Sequence, residues 1–267
     1  MELLTEFMAH FGIAPRQAPP QLLDCVLDAF ARLPYENLTK IIKHARQGSP
    51  EVSRRHPEEV IGDHKRWGTG GTCFSLTSTL AHLLRSLGYE ADYILADRRY
   101  GADTHCALLL GTAEGRSLVD PGYLIARPLR LRDRGETELR TSSDSLILAA
   151  EPGGRMALYS ARGAARTYRL TYKTSPVDAG QFARAWDRSF SWDMMRYPLL
   201  TRNAARGRIY LRGSRLAIRS ADSVSLEIVD QDLVARIAAE FGLHVSIVAH
   251  ALRLLGDRGE IGKAWRR

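Results

Sequence analysis

The 267-residue chain has no uninterrupted apolar run of about 18 residues, so no segment is long enough to cross a bilayer as a helix. The opening "MELLTEFMAHFGI" lacks a basic leader, a continuous apolar core and a cleavage site. It is expected to be a helix rather than a signal peptide. Cysteine is scarce: Cys25, Cys73 and Cys106 are too few and too scattered for a disulfide framework, and no paired spacing suggests zinc. No metal is therefore expected, and a reducing cytoplasm is the expected location. There is no internal repeat, low-complexity tract or flexible linker. Acidic residues are the minority, 30 Asp and Glu against 38 Lys and Arg, leaving a net charge of +8. That excess favours an acidic partner such as nucleic acid, a phosphorylated cofactor or an acidic carrier protein. It is equally an ordinary solubility device, because charge alone identifies no partner.

Hydrophobic residues make up 45% of the chain, enough for a full core. Residues 1–42 read as helical. In "PPQLLDCVLDAFARL", Leu22, Leu23, Val26, Leu27, Phe30 and Leu33 fall close to the 3.6-residue period. Cys25 lies there as a small hydrophobe. Pro57 is placed to start a short helix, "PEEVIGDHKRW". After a glycine cluster, Phe74, Leu76, Leu80, Leu83, Leu84 and Leu87 form a second stripe that Gly88 stops. The pattern then turns to short strand-like runs with Gly, Asp and Pro between them, from "ADYILADRR" through "ARPLRLR" to "RTYRLTYKT", the signature of an antiparallel sheet or barrel. "SPVDAGQFARAWDRSF" reads as a helix opened by Ser175 and Pro176. The third region holds a hairpin, "RIYLRG" and "RLAIRS", then a strand and helices.

Cys73 stands in "WGTGGTCFSLTSTLAHLLRSLGY", after Gly68, Gly70 and Gly71 and at the head of the second helix stripe. A helix start lowers a thiol's pKa, because its dipole and unpaired N–H groups favour negative charge. A catalytic thiol also needs a base, and the base an orienting group. His105, at the start of the apolar run after "ADT", is the base candidate. Asp120, at the end of "SLVD" and before "PGY", is the orienting candidate. Adjacent antiparallel strands would bring the two together. Each residue also has an ordinary structural reading: a buried thiol, a core histidine, a turn-forming aspartate. Among the other histidines, His10, His44, His56 and His64 are expected at the surface. His82 is nine residues along the Cys73 helix, out of reach. Cys106 is set aside as partner of His105, since neighbours on a strand face opposite ways.

The order "LPYENL", "GGTCF", "TH", "LVDPGY" and a late hairpin "GRIYLRGSRLAIR" resembles the arylamine N-acetyltransferase family, whose members carry Pro-Phe-Glu-Asn-Leu, Arg-Gly-Gly-x-Cys-Phe, Thr-His and Val-Asp-x-Gly segments. The resemblance implies an α+β fold: an N-terminal helical bundle carrying the cysteine (1–88), a central antiparallel β-barrel carrying histidine and aspartate (89–190) and a C-terminal α/β lid (191–267), similar to cysteine proteases in arrangement. It implies ping-pong acyl transfer from a thioester to an amine, with Cys73, His105 and Asp120 as the triad. Tyr35, Gly70, Gly71, Phe74, Thr104, Gly122, Tyr123 and Trp192 are the candidate substrate- or cofactor-binding residues, with the segment around Arg196 and Tyr197 as part of the lid. No tightly bound cofactor is implied; acyl-coenzyme A or a carrier-protein thioester would be the co-substrate, and a small amine the acceptor. The sequence departs from the family at Thr69, which holds the arginine position, at Ser75 and Thr77 after Cys-Phe, and at Leu124, which replaces the second glycine of the acid motif. Leu124 is expected to narrow the cofactor channel.

Other readings compete. One is a degenerate acyltransferase retained as a binding or structural protein, against which the intact Cys73, His105 and Asp120 weigh. An amide synthase would take its acyl group from an acidic carrier protein. A transglutaminase-like amidase or peptidase shares the Cys–His–Asp order, but the "YENL" segment and late hairpin argue against it. Residues 234–255 have helix-turn-helix spacing around Gly242, yet the second helix offers only His244, His250 and Arg253 to a nucleic acid, so packing helices are expected and no nucleic acid. "GTGGT" lacks the Lys-Ser/Thr pair of a phosphate-binding loop. The sequence does not specify an oligomeric state.

Overall fold

A computed structural model describes residues 1–15, 18–113, 115–125 and 127–257. The first residue of "ARPLRLR" and the last ten of the third region lie outside that range. The N-terminal elements are α1 (Glu2–Phe11), α2 (Pro19–Phe30), β1 (Tyr35–Glu36), α3 (Leu38–Gln47), α4 (Pro50–Ser53), α5 (Pro57–Trp67) and α6 (Cys73–Ser86). Prolines occupy the first turns of α2 and α5, where the missing N–H costs nothing. Helix α5 covers the expected segment, and α6 ends at Ser86 with Gly88 beyond it at φ 88°.

The middle of the chain forms β2 (Ala91–Arg98), β3 (Gly101–Thr112), β4 (Gly115–Val119), β5 (Leu129–Arg130), β6 (Glu136–Arg140), β7 (Ser145–Glu151), β8 (Arg155–Arg162) and β9 (Ala165–Lys173). They pair antiparallel in the order β5-β4-β3-β2-β9-β8-β7-β6, and the end strands β5 and β6 approach each other, giving a nearly closed barrel. Alternation along β3 separates two cores. Ala107 and Leu109 point into the barrel with Leu146, Leu158 and Tyr172, whereas Cys106, Leu108 and Leu110 join the core shared with α6.

Helix α7 (Ala179–Arg188) follows, then β10 (Leu199–Ala204), β11 (Gly207–Arg212), β12 (Arg215–Arg219), β13 (Val224–Ile228), α8 (Leu233–Phe241) and α9 (Val245–Asp257). Asp178 and Gln181 form the capping box that opens α7, so the start lies later than Ser175 and Pro176. The second sheet runs β1-β10-β11-β12-β13. Its first strand interrupts a stretch expected to be helical: Tyr35 and Glu36 pair with Thr201 and Leu200. Helices α8 and α9 do form around Gly242, but α9 packs on α3 and the His244 N–H donates to Trp67 O at 2.8 Å. Packing occupies that pair, as expected. No helix among the described residues is long and apolar enough to cross a membrane.

Candidate functional site

Cys73 is the first residue of α6, with Thr72 as its extended N-cap. Two segments hold this helix start. The Tyr35 bridge to Gly71, with Glu36 N–H donating to Gly71 O at 3.0 Å, ties "PYEN" to the glycine loop. Gly70 is required because a Cβ there would overlap the Pro34 carbonyl. Asn37 links the same segment to the third region: its amide donates to the carbonyls of Met194 and Tyr197, and its oxygen accepts from Leu199 N–H.

The arginine that the family resemblance places before the glycines is absent, and Thr69 is there instead. Arg55 delivers a guanidinium to the same loop from the α4–α5 connection. It is buried, and its Nη1 donates to Gly70 O at 2.5 Å and Thr39 Oγ1 at 2.7 Å. Its Nη2 meets Asp63 Oδ2 at 2.8 Å, and fully buried Glu36 lies 3.7 Å from Nη1. The sequence reading missed this residue.

The expected pairing of His105 and Asp120 is present. Strands β3 and β4 are antiparallel with Leu108 opposite Val119, which brings Asp120 back alongside β3. His105 Nε2 lies 2.7 Å from Asp120 Oδ2, and neither side chain is exposed. Asp120 is also the turn former it looked like: Oδ1 accepts from Tyr123 N–H at 3.0 Å and caps the single turn Pro121–Tyr123. One carboxylate oxygen builds the turn and the other holds the imidazole. Tyr172, unremarked in the sequence, donates to that second oxygen at 2.5 Å. It reaches it because Ala96 on β2 pairs with both His105 and Tyr172. Burial, and then Asp120, push the Tyr172 phenol well above its ordinary pKa, so it remains a donor.

Two buried neighbours, Cys106 and His105, act on the Cys73 sulfur. Cys106 is the largest influence lowering its pKa. Burial opposes it, and the neighbouring His105 supports it. The thiol lies well below its ordinary value. Cys106 does face the opposite side of β3 from Ala107, as strand geometry requires. It nonetheless shares the core with Cys73 and influences its thiol, and Thr77 Oγ1 accepts from Cys106 Sγ at 3.5 Å. Burial alone would lower the His105 pKa. The charge of Asp120, its hydrogen bond and the neighbouring Cys73 together outweigh burial, and the imidazole is raised to about 9. The site therefore favours a thiolate–imidazolium pair.

Arg98 is the second missed residue. Its Nη2 lies 3.1 Å from His105 Nδ1, and its Nη1 donates to Tyr100 Oη at 2.8 Å. A register shift in the β2–β3 ladder, with Asp103 at φ 55°, carries Arg98 to this position. A guanidinium only donates, so the contact is a hydrogen bond only while Nδ1 is unprotonated. Arg98 and the Cys73 thiol thus compete for the same nitrogen.

The remaining candidates divide. Gly122 sits between Cys73 and His105: a Cβ there would lie 2.8 Å from both Cys73 Cβ and His105 Cε1. Tyr123 packs edge-on to His105 at 5.7 Å. Tyr35, Gly122, Tyr123 and Arg98 line a cavity of about 390 Å³ between the barrel and the second sheet. Thr104 supports the neighbouring turn, donating to Gly101 O at 3.0 Å. Phe74 and Trp192 do not line the cavity; they pack 6.1 Å apart, with Phe182 and Trp186 also against Phe74. Neither Arg196 nor Tyr197 lines it. Leu124 is buried at φ 54° and likewise lies outside the lining, so its departure from glycine strains a turn rather than narrowing this space. His10 and His56 are exposed as expected, but His44 and His64 are half-buried, His64 Nδ1 lying 2.8 Å from Thr69 O. Among the described residues no cluster of His, Cys, Asp or Glu could hold a metal ion.

Gly122→Ala is expected to push Cys73 and His105 apart. The rate of Cys73 alkylation by iodoacetamide at pH 7 should fall about tenfold, and its apparent pKa should rise toward that of a free thiol, near 8.5. A pH series followed by intact mass measures both.

A family model described as N-acetyltransferase matches residues 20–250. No curated protein matches in sequence. Solved structures do match in fold. The Mycobacterium smegmatis arylamine N-acetyltransferase is 21% identical over 94% of this chain and 98% of its own, with a TM-score of 0.78. The Mycobacterium marinum enzyme, solved in complex with CoA, is 19% identical over 98% of this chain and 99% of its own, with a TM-score of 0.74. A Bacillus cereus arylamine N-acetyltransferase with a Cys-His-Glu triad is 17% identical over 91% of this chain and 99% of its own, with a TM-score of 0.72. With the family match spanning most of its length, the chain belongs to the N-acetyltransferase family and has the arylamine N-acetyltransferase fold.

Proposed function

We propose that this protein is a thioester-dependent N-acyltransferase that works through an acyl group on Cys73. The observation that carries the reading is the buried His105, 2.7 Å from Asp120 on one side and meeting Cys73, at the start of α6, across Gly122 on the other. In the first half-reaction the Cys73 thiolate attacks the donor's carbonyl carbon. A Cys73 Sγ–C bond forms, the donor's C–S bond breaks, and the imidazolium of His105 supplies the proton that leaves with the donor thiol. The N–H groups of the first turn of α6 have no intrahelical partners and suit the transient oxyanion, a contribution of about 3 kcal/mol. In the second half-reaction neutral His105 takes a proton from the attacking amine. The amide leaves, and Cys73 Sγ is again a thiolate beside an imidazolium. Asp120 holds the imidazole tautomer throughout, with Tyr172 and the Tyr123 N–H holding Asp120.

Acyl-coenzyme A is the proposed donor and an arylamine the proposed acceptor, by analogy with the relatives and the CoA complex of one of them. Incubation with acetyl-coenzyme A, followed by intact-mass measurement, should show one acetyl adduct, absent in Cys73→Ala. Adding an arylamine should discharge the adduct as the amide. Discharge to acetate alone would point to a hydrolase instead. Failure of every thioester tried, carrier-bound ones included, to acylate Cys73 would overturn the proposal.

A further inference from the structure

The cavity beside the triad is unusually cationic. Arg98, Arg169, Arg208 and Arg219 line it, with Asp144 as the single carboxylate. Asp144 already accepts from the Thr141 and Ser143 hydroxyls. Elsewhere many arginines meet acids: Arg54 with Asp187, Arg155 with Asp97, Arg166 with Glu136. Among the described residues none of the four cavity arginines forms an ion pair. Those that are tethered are held by neutral atoms. Arg169 donates to Ser160 Oγ at 2.7 and 2.8 Å, and Arg208 to Asn203 Oδ1 and Tyr123 O, both at 3.2 Å. Arg98 Nε is buried with no partner at all. Several uncompensated guanidinium groups around one concavity raise its potential and are costly unless an anion enters. Fixed forks aimed by neutral tethers are also the arrangement that receives a carboxylate with two parallel hydrogen bonds.

Resting on the acyl-transfer reading, we infer that this cavity selects a substrate carrying a carboxylate close to the reacting carbonyl, received by Arg98 with Arg169 and Arg208. Arg98 touches His105, so the anion lies within one guanidinium of the triad. A carboxylate engaging Arg98 also draws it off His105 Nδ1 and leaves that nitrogen to the thiol or the amine. Two parts of the reaction can carry the group: the acyl chain, as in a dicarboxylic monothioester, or the acceptor, as in an aminobenzoate.

The test has two arms and a control that needs no turnover. In the first, acylation of Cys73 by acetyl-, malonyl- and succinyl-coenzyme A is timed by intact mass. In the second, the acetyl-enzyme is discharged with 4-aminobenzoate or with its neutral amide. The anionic member should be favoured about tenfold to a hundredfold in one arm, which identifies the source. Arg98→Gln and Arg208→Gln should each collapse that ratio. In the control, Cys73→Ala should bind 4-acetamidobenzoate or succinate more tightly than the corresponding amide. Equal rates in both arms together with equal binding would overturn the inference while leaving acyl transfer standing. An Arg208→Gln variant that raises KM equally for acetyl- and malonyl-coenzyme A, with the ratio unchanged, would also overturn it, because the arginine would then be holding the donor's phosphates. If no thioester acylates Cys73, acyl transfer fails, and the binding control still decides the anion site.

Discussion

Asp120→Asn is expected to slow acylation of Cys73 by about three to four orders of magnitude while leaving the chain folded. The carboxylate makes three contacts, and the amide can reproduce only some of them. Tyr123 N–H needs an acceptor at Oδ1, so the asparagine oxygen stays there and keeps the turn. The amide nitrogen then faces His105 Nε2 and the Tyr172 hydroxyl. As a donor, it forces Nε2 to accept and moves the imidazole proton to Nδ1, where a neutral ring cannot take a proton from the thiol or the amine. The charge is lost as well. Burial, no longer outweighed by Asp120, drives the His105 pKa down from about 9. The stability consequence has a definite sign. A histidine raised from 6.5 to about 9 on folding adds stability that is complete below 6.5 and lost as pH rises through about 9. The variant should therefore be less stable than the parent by an amount on the order of 3 kcal/mol below pH 6, with the gap closing above pH 9. Single-turnover acylation by intact mass and denaturant unfolding at pH 6 and pH 9.5 measure the two effects. Asp120→Glu keeps the charge and should lose much less in rate; equal losses in both variants would contradict the tautomer argument.

The proposed triad was legible because each member announces itself locally. Cys73 follows glycines and begins a periodic apolar run, His105 begins a core strand, and Asp120 precedes Pro-Gly. The helix-then-strand change of period located the barrel for the same reason. What supports the triad was not legible, since it depends on which strands lie side by side. Tyr172 is 52 residues from Asp120 and meets it only through the β9–β2–β3 row. Arg98 ends a strand with nothing local to mark it, and only the register shift before His105 brings it to the imidazole. Cys106 was set aside by a sound rule about strand faces, which does not forbid a residue on α6 from meeting both neighbours at the edge between two cores. The "YENL" segment resembled a family signature but read as helix. Its real work is done by two paired backbone residues and one asparagine. A buried tyrosine on a strand does carry one usable signal: its hydroxyl must find a partner, so it marks a polar group inside the barrel.

Arg55→Leu should be the most damaging change outside the triad. Its guanidinium is buried and joins four otherwise separate pieces: α3 through Thr39, the glycine loop through Gly70, α5 through Asp63, and β1 through Glu36. Glu36 is fully buried and accepts from Thr39 N–H at 2.9 Å and from the Thr39 hydroxyl at 2.5 Å. Leucine would fill much of the volume but leave that carboxylate without its countercharge and Gly70 O without its donor. Removing one partner of a buried pair costs about 3–5 kcal/mol, which in a chain of this size lowers Tm by roughly 10 °C. Surface pairs set the contrast. Arg127, half exposed beside Asp24 and Asp28, should cost less than about 1 kcal/mol when changed to glutamine. Arg55→Lys separates charge from shape: an ammonium restores the countercharge to Glu36 but cannot reach Gly70, Thr39 and Asp63 together, so its loss should lie between those of the other two variants. Loosening Gly70 also loosens the start of α6, so the apparent pKa of Cys73 should rise in Arg55→Lys even at temperatures where it remains fully folded. Thermal unfolding of the three variants, with Cys73 alkylation profiled against pH, measures both links. A lysine variant with reduced Tm but an unaltered Cys73 profile would confine Arg55 to holding the fold, with no part in tuning the thiol.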